Sequence, residues 1–292
     1  MLRHLNASPI SPKRVVVMGA AGFVGGAVVN RLARDGIPVL ALGRRDVDLL
    51  HPQAAEKLHA LIQADDTFVA VSARAPVRNS NMLVENIIMT GAMVNALAGA
   101  PVGHVINVSS DAIYADSPDP LTEKSTTAPG SLHGAMHLAR ELMFQAEIKA
   151  PLAMVRPTLI YGPGDPHNGY GPNRFCRLAN RGEDILLFGE GEEQRDHIFI
   201  DDVAELIARA ICRRSSGTLN LATGEVRSFR NLAERVVRIA GSAATVRGTP
   251  RSGPMPHNGY RPFDVEACRD AFPDFIATPM DQGLTRAQKE LR

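Results

Sequence analysis

Val17-Met18-Gly19-Ala20-Ala21-Gly22-Phe23-Val24-Gly25 is the stretch that decides the fold of this chain. It follows Arg14-Val15-Val16-Val17, a β-branched run that reads as a buried strand. It precedes Ala27-Val28-Val29-Asn30-Arg31-Leu32-Ala33, which reads as a helix. Strand, glycine turn and helix together make a phosphate site for a dinucleotide. Gly19 permits the tight turn, Gly22 lets the backbone approach a pyrophosphate, and Gly25 lets the helix pack close to the strand. Ala21, Phe23 and Val24 complete the cofactor-binding turn. The uncapped N–H groups and the positive dipole end of the helix face the phosphates. A plain strand–helix turn is the competing reading, and the strand and helix flanking the glycines weigh against it.

Working outward, strand-like runs alternate with amphipathic stretches. Strands are expected at Arg14–Met18, Pro38–Leu42, Thr67–Ser72, His104–Ser109 and Leu152–Arg156. Helices are expected near Gly25–Arg34, Ala54–Gln63, Met82–Ala98 and Gly134–Ile148. This order predicts an α/β fold, a Rossmann-type doubly wound parallel sheet, with ligands at the carboxyl ends of its strands. After Arg156 the pattern loosens into a Gly/Pro-rich loop, Gly162–Pro172. Short strands at Ile185–Phe188 and Thr218–Leu221 follow, with a helix over Asp201–Arg213 capped by Asp201 or Asp202 and another behind Ser228. The expected division is a dinucleotide-binding domain over residues 1–160 and a small C-terminal substrate lobe over 161–292, some of whose elements return to the first.

The 292 residues carry a net charge of +1 and are 45% hydrophobic, an ordinary globular composition that gives no support for nucleic-acid or membrane partners. Cys176, Cys212 and Cys268 lack C-x-x-C spacing and read as reduced thiols of a cytoplasmic protein. Met1-Leu2-Arg3-His4-Leu5-Asn6 lacks the apolar stretch of a signal peptide, and no run approaches transmembrane length.

An acidic residue ending the second strand would hydrogen-bond a ribose 2′-hydroxyl and indicate NAD. Here the strand ends Leu42-Gly43-Arg44-Arg45, and two guanidiniums suit a 2′-phosphate, so NADP is expected, with NAD the alternative and a solvated loop the bland reading. Asp48, followed by Leu49, is placed to contact the adenine edge.

These motifs resemble the extended short-chain dehydrogenase/reductase family of NAD(P)-dependent sugar-nucleotide epimerases, dehydratases and reductases, over roughly residues 13–240. The glycine stretch looks like the family's cofactor motif, and Arg44-Arg45-Asp46-Val47-Asp48-Leu49 resembles the second-strand region of its NADP-dependent reductases. Asn86 matches an asparagine in a family helix, and Val108-Ser109-Ser110-Asp111-Ala112-Ile113-Tyr114 resembles the strand ending in the catalytic Ser/Thr, which puts Ser110 in that role. Arg156-Pro157 and the residues behind them resemble the entry to the substrate lobe, and Phe188–Gly191 and Arg195–Ala204 resemble the segments closing over the sugar nucleotide. The resemblance implies cofactor-binding places for Ser72, Ala73, Asn86, Val108, Arg156 and Pro157, and a homodimer through helices like Met82–Ala98 and Gly134–Ile148.

The family's tyrosine, followed four positions later by lysine, is absent. In Ser131-Leu132-His133-Gly134-Ala135-Met136-His137-Leu138-Ala139-Arg140-Glu141, His133 stands at the tyrosine position and His137 at the lysine position. In one reading, His133 is the general acid/base, since imidazole titrates near neutrality without a lysine, and His137, on the same helical face, meets the cofactor ribose. In a second, the i, i+4 histidines share a metal, but no third ligand is identifiable, so none is expected. In a third, proton chemistry passes to Asp111, or is lost in a non-catalytic cofactor-binding protein that acts through partner contacts.

Among the remaining candidates, Ser110 would orient the reacting oxygen or merely satisfy backbone groups, and Arg195 would clamp a substrate phosphate or form a surface salt bridge. Tyr114, Tyr161 and Asn173 are expected at the substrate pocket. His197 reads as a packed histidine, and His51, His59 and His167 as surface or loop residues. The basic, Pro/Gly-rich tail Arg251–Arg261 reads as a solvated loop.

Overall fold

A computed structural model describes residues 1–290. Its first half consists of β1 (Arg3–His4), β2 (Val15–Met18), α1 (Phe23–Arg34), β3 (Val39–Leu42), α2 (Ala54–His59), β4 (Thr67–Ala70), α3 (Ser80–Ala98), β5 (His104–Val108), α4 (Leu132–Glu147) and β6 (Leu152–Pro157). There follow β7 (Leu159–Tyr161), α5 (Pro172–Asn180), β8 (Ile185–Phe188), β9 (Gln194–Phe199), α6 (Ile200–Cys212) and β10 (Ser215–Leu221). The chain continues with β11 (Val226–Ser228), α7 (Phe229–Ala240), β12 (Val246–Thr249), β13 (Tyr260–Arg261), α8 (Glu266–Ala271) and α9 (Met280–Glu290).

The valine-rich β2 is buried on both faces because helices cover both sides of its sheet. Seven strands lie in the order β1-β10-β6-β5-β4-β2-β3, all parallel except the β1–β10 pair. Val28 and Leu32 of α1 and the apolar stripe of α6 fill one face, with Val15, Val17, Val69 and Ile106. Leu58 of α2, Met93 and Leu97 of α3 and Phe144 of α4 fill the other, with Val16, Met18 and Phe68. Strand order reverses at β2, between β3 and β4, and the crevice at that switch point opens over the glycine turn.

Beyond β6 the chain alternates between two bodies. β7, β9, β11 and β13 form a small sheet and β8 pairs with β12, while α6 and β10 return to the large one. α5, α7 and α9 pack on a separate cluster that includes Phe175, Phe229 and Leu284.

The five early strands fall within two residues of the sequence expectation, and α2 ends four residues short of it. The helix behind Ser228 begins at Phe229, with Ser228 Oγ accepting from the Asn231 N–H at 3.1 Å. The cap expected at Asp201 or Asp202 is instead Phe199, which has no side chain to cap with. Both aspartates sit in the first turn, where negative charge suits the helix dipole. Asp202 holds the tail, accepting from Thr278 N–H at 2.8 Å and Thr278 Oγ1 at 2.7 Å. Among the described residues, no helix is long and apolar enough to cross a membrane.

Candidate active site

The glycine turn is built as a cradle. Gly19 has φ +107°, a conformation that favours glycine, and a Cβ there would lie 2.7 Å from the Ser72 backbone nitrogen. A Cβ on Gly25 would overlap the Gly19 carbonyl oxygen. Gly22 is the N-cap of α1 and has no side chain to accept from the helix N–H groups. The turn is therefore open where an anion would sit, while Ala21 and Gly22 are exposed. Phe23 and Val24, by contrast, pack partly against the cluster that includes Phe175, Phe229 and Leu284.

Beside the cradle, Met18, Arg44, Val47, Asp48, Leu49, Ser72 and Arg74 are among the residues lining a pocket at the strand ends. Arg44 projects from it, 75% exposed, and pairs with Asp48 at 3.2 Å, while Arg45 is exposed. Asn86, which is buried, commits its amide to backbone: Oδ1 accepts from Arg74 N–H at 2.9 Å and Nδ2 donates to Met82 O at 2.7 Å. It shapes the loop behind Ser72 and Ala73. Larger cavities beside Phe272 include none of these residues.

The two histidines meet. Ser131 Oγ caps α4 by accepting from the Gly134 N–H at 3.1 Å. Gly134 lacks the Cβ that would overlap the Ala112 carbonyl, so α4 presses against the turn Asp111–Ile113. This sets the His133 and His137 rings edge to face, with centroids 4.8 Å apart. Both Nδ1 atoms are buried without a partner among the described residues. Burial pushes His133 below its usual 6.5, opposed by the Asp111 carboxylate and assisted by His167. Burial pushes His137 far lower, reinforced by His133 and Arg140. Among the described residues, no three His, Cys, Asp or Glu side chains are grouped to hold a metal.

Ser110 Oγ caps the turn through the Ala112 N–H at 3.1 Å and lies 3.4 Å from Asp111 Oδ1. Asp111 is flanked by guanidiniums: Arg261 Nε is 3.1 Å from Oδ2, and Arg195 Nη2 is 3.8 Å from it. Arg195 also pairs with Glu193 at 3.2 Å. The tail is thus not solvated throughout: Arg261 is 2% exposed, and β13 inserts it beside Asp111 by pairing with β9. His257, from the same tail, meets Asp116 at 2.5 Å.

Several residues expected at the ligand sites are committed to the protein interior. Arg156 is bidentate to Glu141 at 2.9 and 2.6 Å and donates to the Tyr114 hydroxyl at 2.8 Å. Tyr114 donates on to Asn220 Oδ1 at 2.6 Å, and burial drives its hydroxyl up to about 12. The network ties α4 to β6 and β10. Tyr161 is buried against Phe199 and Gly283. Asn173 accepts from Gly162 N–H at 3.0 Å and donates to Asp165 at 2.8 Å, so it anchors the base of the loop. Val108 and Pro157 are buried at the ends of β5 and β6. His197 is packed on Phe229, and burial lowers it to about 3.

Residues 15–222 match the NAD dependent epimerase/dehydratase family. The chain belongs to that family. A UDP-glucose 4-epimerase of Mycolicibacterium smegmatis is 28% identical over 265 residues, covering 78% of this chain and 83% of the relative. A dTDP-4-dehydro-6-deoxy-D-allose reductase of Streptomyces bikiniensis is 24% identical, covering 96% of each chain. The crystal structure of Thermus thermophilus UDP-glucose 4-epimerase in complex with NAD superposes with a TM-score of 0.82 at 22% identity, covering 95% of this chain and 98% of that one. The likeness in fold thus covers nearly the whole chain, beyond the residues that the family matches, and the Rossmann-type sheet is that of the epimerase structures.

Proposed function

We propose that this protein is an NADP(H)-dependent oxidoreductase or epimerase of nucleotide-linked sugars in which His133 exchanges the proton. The observation that supports the reading is the His133–His137 pair on α4, which presses against the turn that Ser110 caps, together with a glycine turn open where an anion would sit. The dinucleotide, when bound, supplies hydride exchange at its nicotinamide ring. The chain supplies the rest. His133, kept neutral at neutral pH by burial, takes a proton from a sugar hydroxyl, and in the reverse direction the imidazolium so formed returns one to a carbonyl. Ser110 orients that oxygen, and His137, one turn further along α4 than His133, is assigned to the nicotinamide ribose. Asp111 is held by Arg261 and lies near Arg195, which favours the imidazole for the acid/base role. Arg195, which pairs with Glu193 and lies near Asp111, is the guanidinium assigned to a substrate phosphate. Among relatives, the epimerase and the reductase named above act on UDP- and dTDP-linked sugars by name, which directs the substrate screen. Product analysis must accompany absorbance, because an epimerase regenerates its cofactor. If no UDP- or dTDP-sugar is converted although the dinucleotide binds, this reading fails.

Exposed Arg44 and Arg45 favour the 2′-phosphate. NADPH is expected to bind at least about tenfold more tightly than NADH, from one or two charge-assisted contacts of about 1.5–3 kcal/mol each. Paired fluorescence titrations read this directly, and equal affinity, or a preference for NADH, assigns the cofactor as NAD.

The outer faces of α3 and α4 support a homodimer through these helices. Val84, Ile88, Leu132 and Leu142 are each at least 40% exposed on these two packed helices, apolar area that a second copy would cover. Sedimentation equilibrium at micromolar concentration should give twice the chain mass. A monomer would remove this element of the reading.

A further inference from the structure

Arg140 is a buried charge that the proposed chemistry leaves unused. It is 1% exposed and makes hydrogen bonds only to neutral groups: Nε to Asn107 Oδ1 at 2.6 Å, Nη1 to Ser72 O at 2.6 Å and Nη2 to Ala70 O at 2.8 Å. No carboxylate pairs with it among the described residues. The Phe144 ring, 5.6 Å from Cζ, is its one cation–π contact among them. The adjacent residue on α4 is a glutamate, yet Glu141 turns to Arg156. Burial lowers Arg140 only to about 10, so it stays a cation at neutral pH. A buried cation without a counter-ion is costly, and three neutral acceptors could be served by a neutral donor. The charge therefore calls for a role.

Its position supplies one. Arg140 lies one turn from His137 on the same face of α4 and is close enough to depress that imidazole. Its Nη1 props the Ser72 carbonyl, and the Ser72 backbone packs directly on Gly19 of the dinucleotide cradle. The guanidinium thus stands behind the cleft, between the histidine pair and the glycine turn. We infer that Arg140 is the fixed cation of this active site and biases the protein toward the reduced, uncharged nicotinamide over the oxidised, cationic one. This rests on the reading above, in which the nicotinamide end lies at His133 and His137. The two forms of the cofactor carry the same diphosphate and differ by one positive charge on the ring. A fixed cation therefore repels one form only, about tenfold for a charge acting over roughly 10 Å at an effective dielectric of about 20. In this respect Arg140 stands in for the positive charge that His137 cannot hold.

The test is the ratio of dissociation constants for the oxidised and reduced forms of one dinucleotide, measured by calorimetry on wild-type, Arg140→Gln, Arg140→Lys and Asn107→Asp proteins. Wild type should prefer the reduced form by at least about tenfold. Arg140→Gln removes the charge, and Asn107→Asp neutralises it with a carboxylate at 2.6 Å while keeping the guanidinium and its packing. Both should shift the ratio about tenfold toward the oxidised form, and Arg140→Lys should hold the wild-type ratio. If Arg140→Gln does not fold, Asn107→Asp carries the test. Equal loss of affinity for both forms, with the ratio unchanged, makes Arg140 a structural prop and overturns the inference. Failure of wild type to bind either form overturns the dinucleotide reading itself, and the role of Arg140 with it.

Discussion

His133→Ala should lower turnover of the nucleotide-sugar substrate by about 10²- to 10⁴-fold, the range supplied by a positioned acid or base. Dinucleotide affinity should stay within about twofold, because the variant shortens a half-buried side chain beside the cleft and leaves the cradle intact. The pH dependence carries the sign of the mechanism. Burial holds His133 below 6.5. In the sugar-oxidising direction the neutral imidazole is the working form, so kcat/KM should be level above pH 6.5 and fall as acidification protonates the ring. In the carbonyl-reducing direction the imidazolium is the donor, so the rate should fall as pH rises through the same lowered value. The limb should vanish in His133→Ala and persist in Ser110→Ala, which removes an orienting group but no titrating one. Turnover of His133→Ala within about twofold of wild type would sink the role given to the imidazole. A protein that binds dinucleotide tightly but converts no nucleotide sugar in either form would instead act through partner contacts.

What could be read from sequence, and what could not, divides along the range of the interactions. The glycine turn was legible because its constraint is local: Gly19 and Gly25 meet backbone within a few residues or at the neighbouring strand end, and only glycine answers. The meeting of His133 and His137 was legible because 3.6-residue periodicity places residues four apart on one face of a helix. The Ser228 cap was legible for the same local reason. Arg261 was not, because its partner Asp111 lies 150 residues away and the two-residue strand that delivers it has no periodicity of its own. Arg156, Tyr114 and Asn173 carry polar groups that suit a ligand, and sequence cannot show that Glu141, Asn220 and Asp165 already take them. Arg140 had a usable signal that composition hides. It follows His137 by three positions and so lies on the helical face of the histidine pair, where a cation is out of place unless it acts.

Gly25→Ala is expected to damage both the fold and dinucleotide binding with a single methyl group. In the native backbone the new Cβ would overlap the Gly19 carbonyl oxygen and lie 3.1 Å from the Ala20 Cα, so the obstruction is backbone on both counts and no rotamer relieves it. Relief requires α1 to move outward from β2, and that movement opens the turn whose N–H groups are proposed to hold the phosphates. Two costs follow from one displacement. Separation of α1 from the sheet disturbs the contacts of Val28 and Leu32, for a stability loss of about 1–3 kcal/mol or more, which denaturant unfolding would read. Loss of the phosphate cradle should weaken dinucleotide binding by on the order of 100-fold, which calorimetry would read. Gly26→Ala is the internal control. It sits one residue along the same helix, and the nearest atom to a Cβ there is the Ala20 carbonyl oxygen at an ordinary 3.5 Å, so it should change affinity by less than about threefold. If Gly25→Ala binds dinucleotide as wild type does, the close approach of helix to strand is not what forms the site, and the phosphates must be held elsewhere.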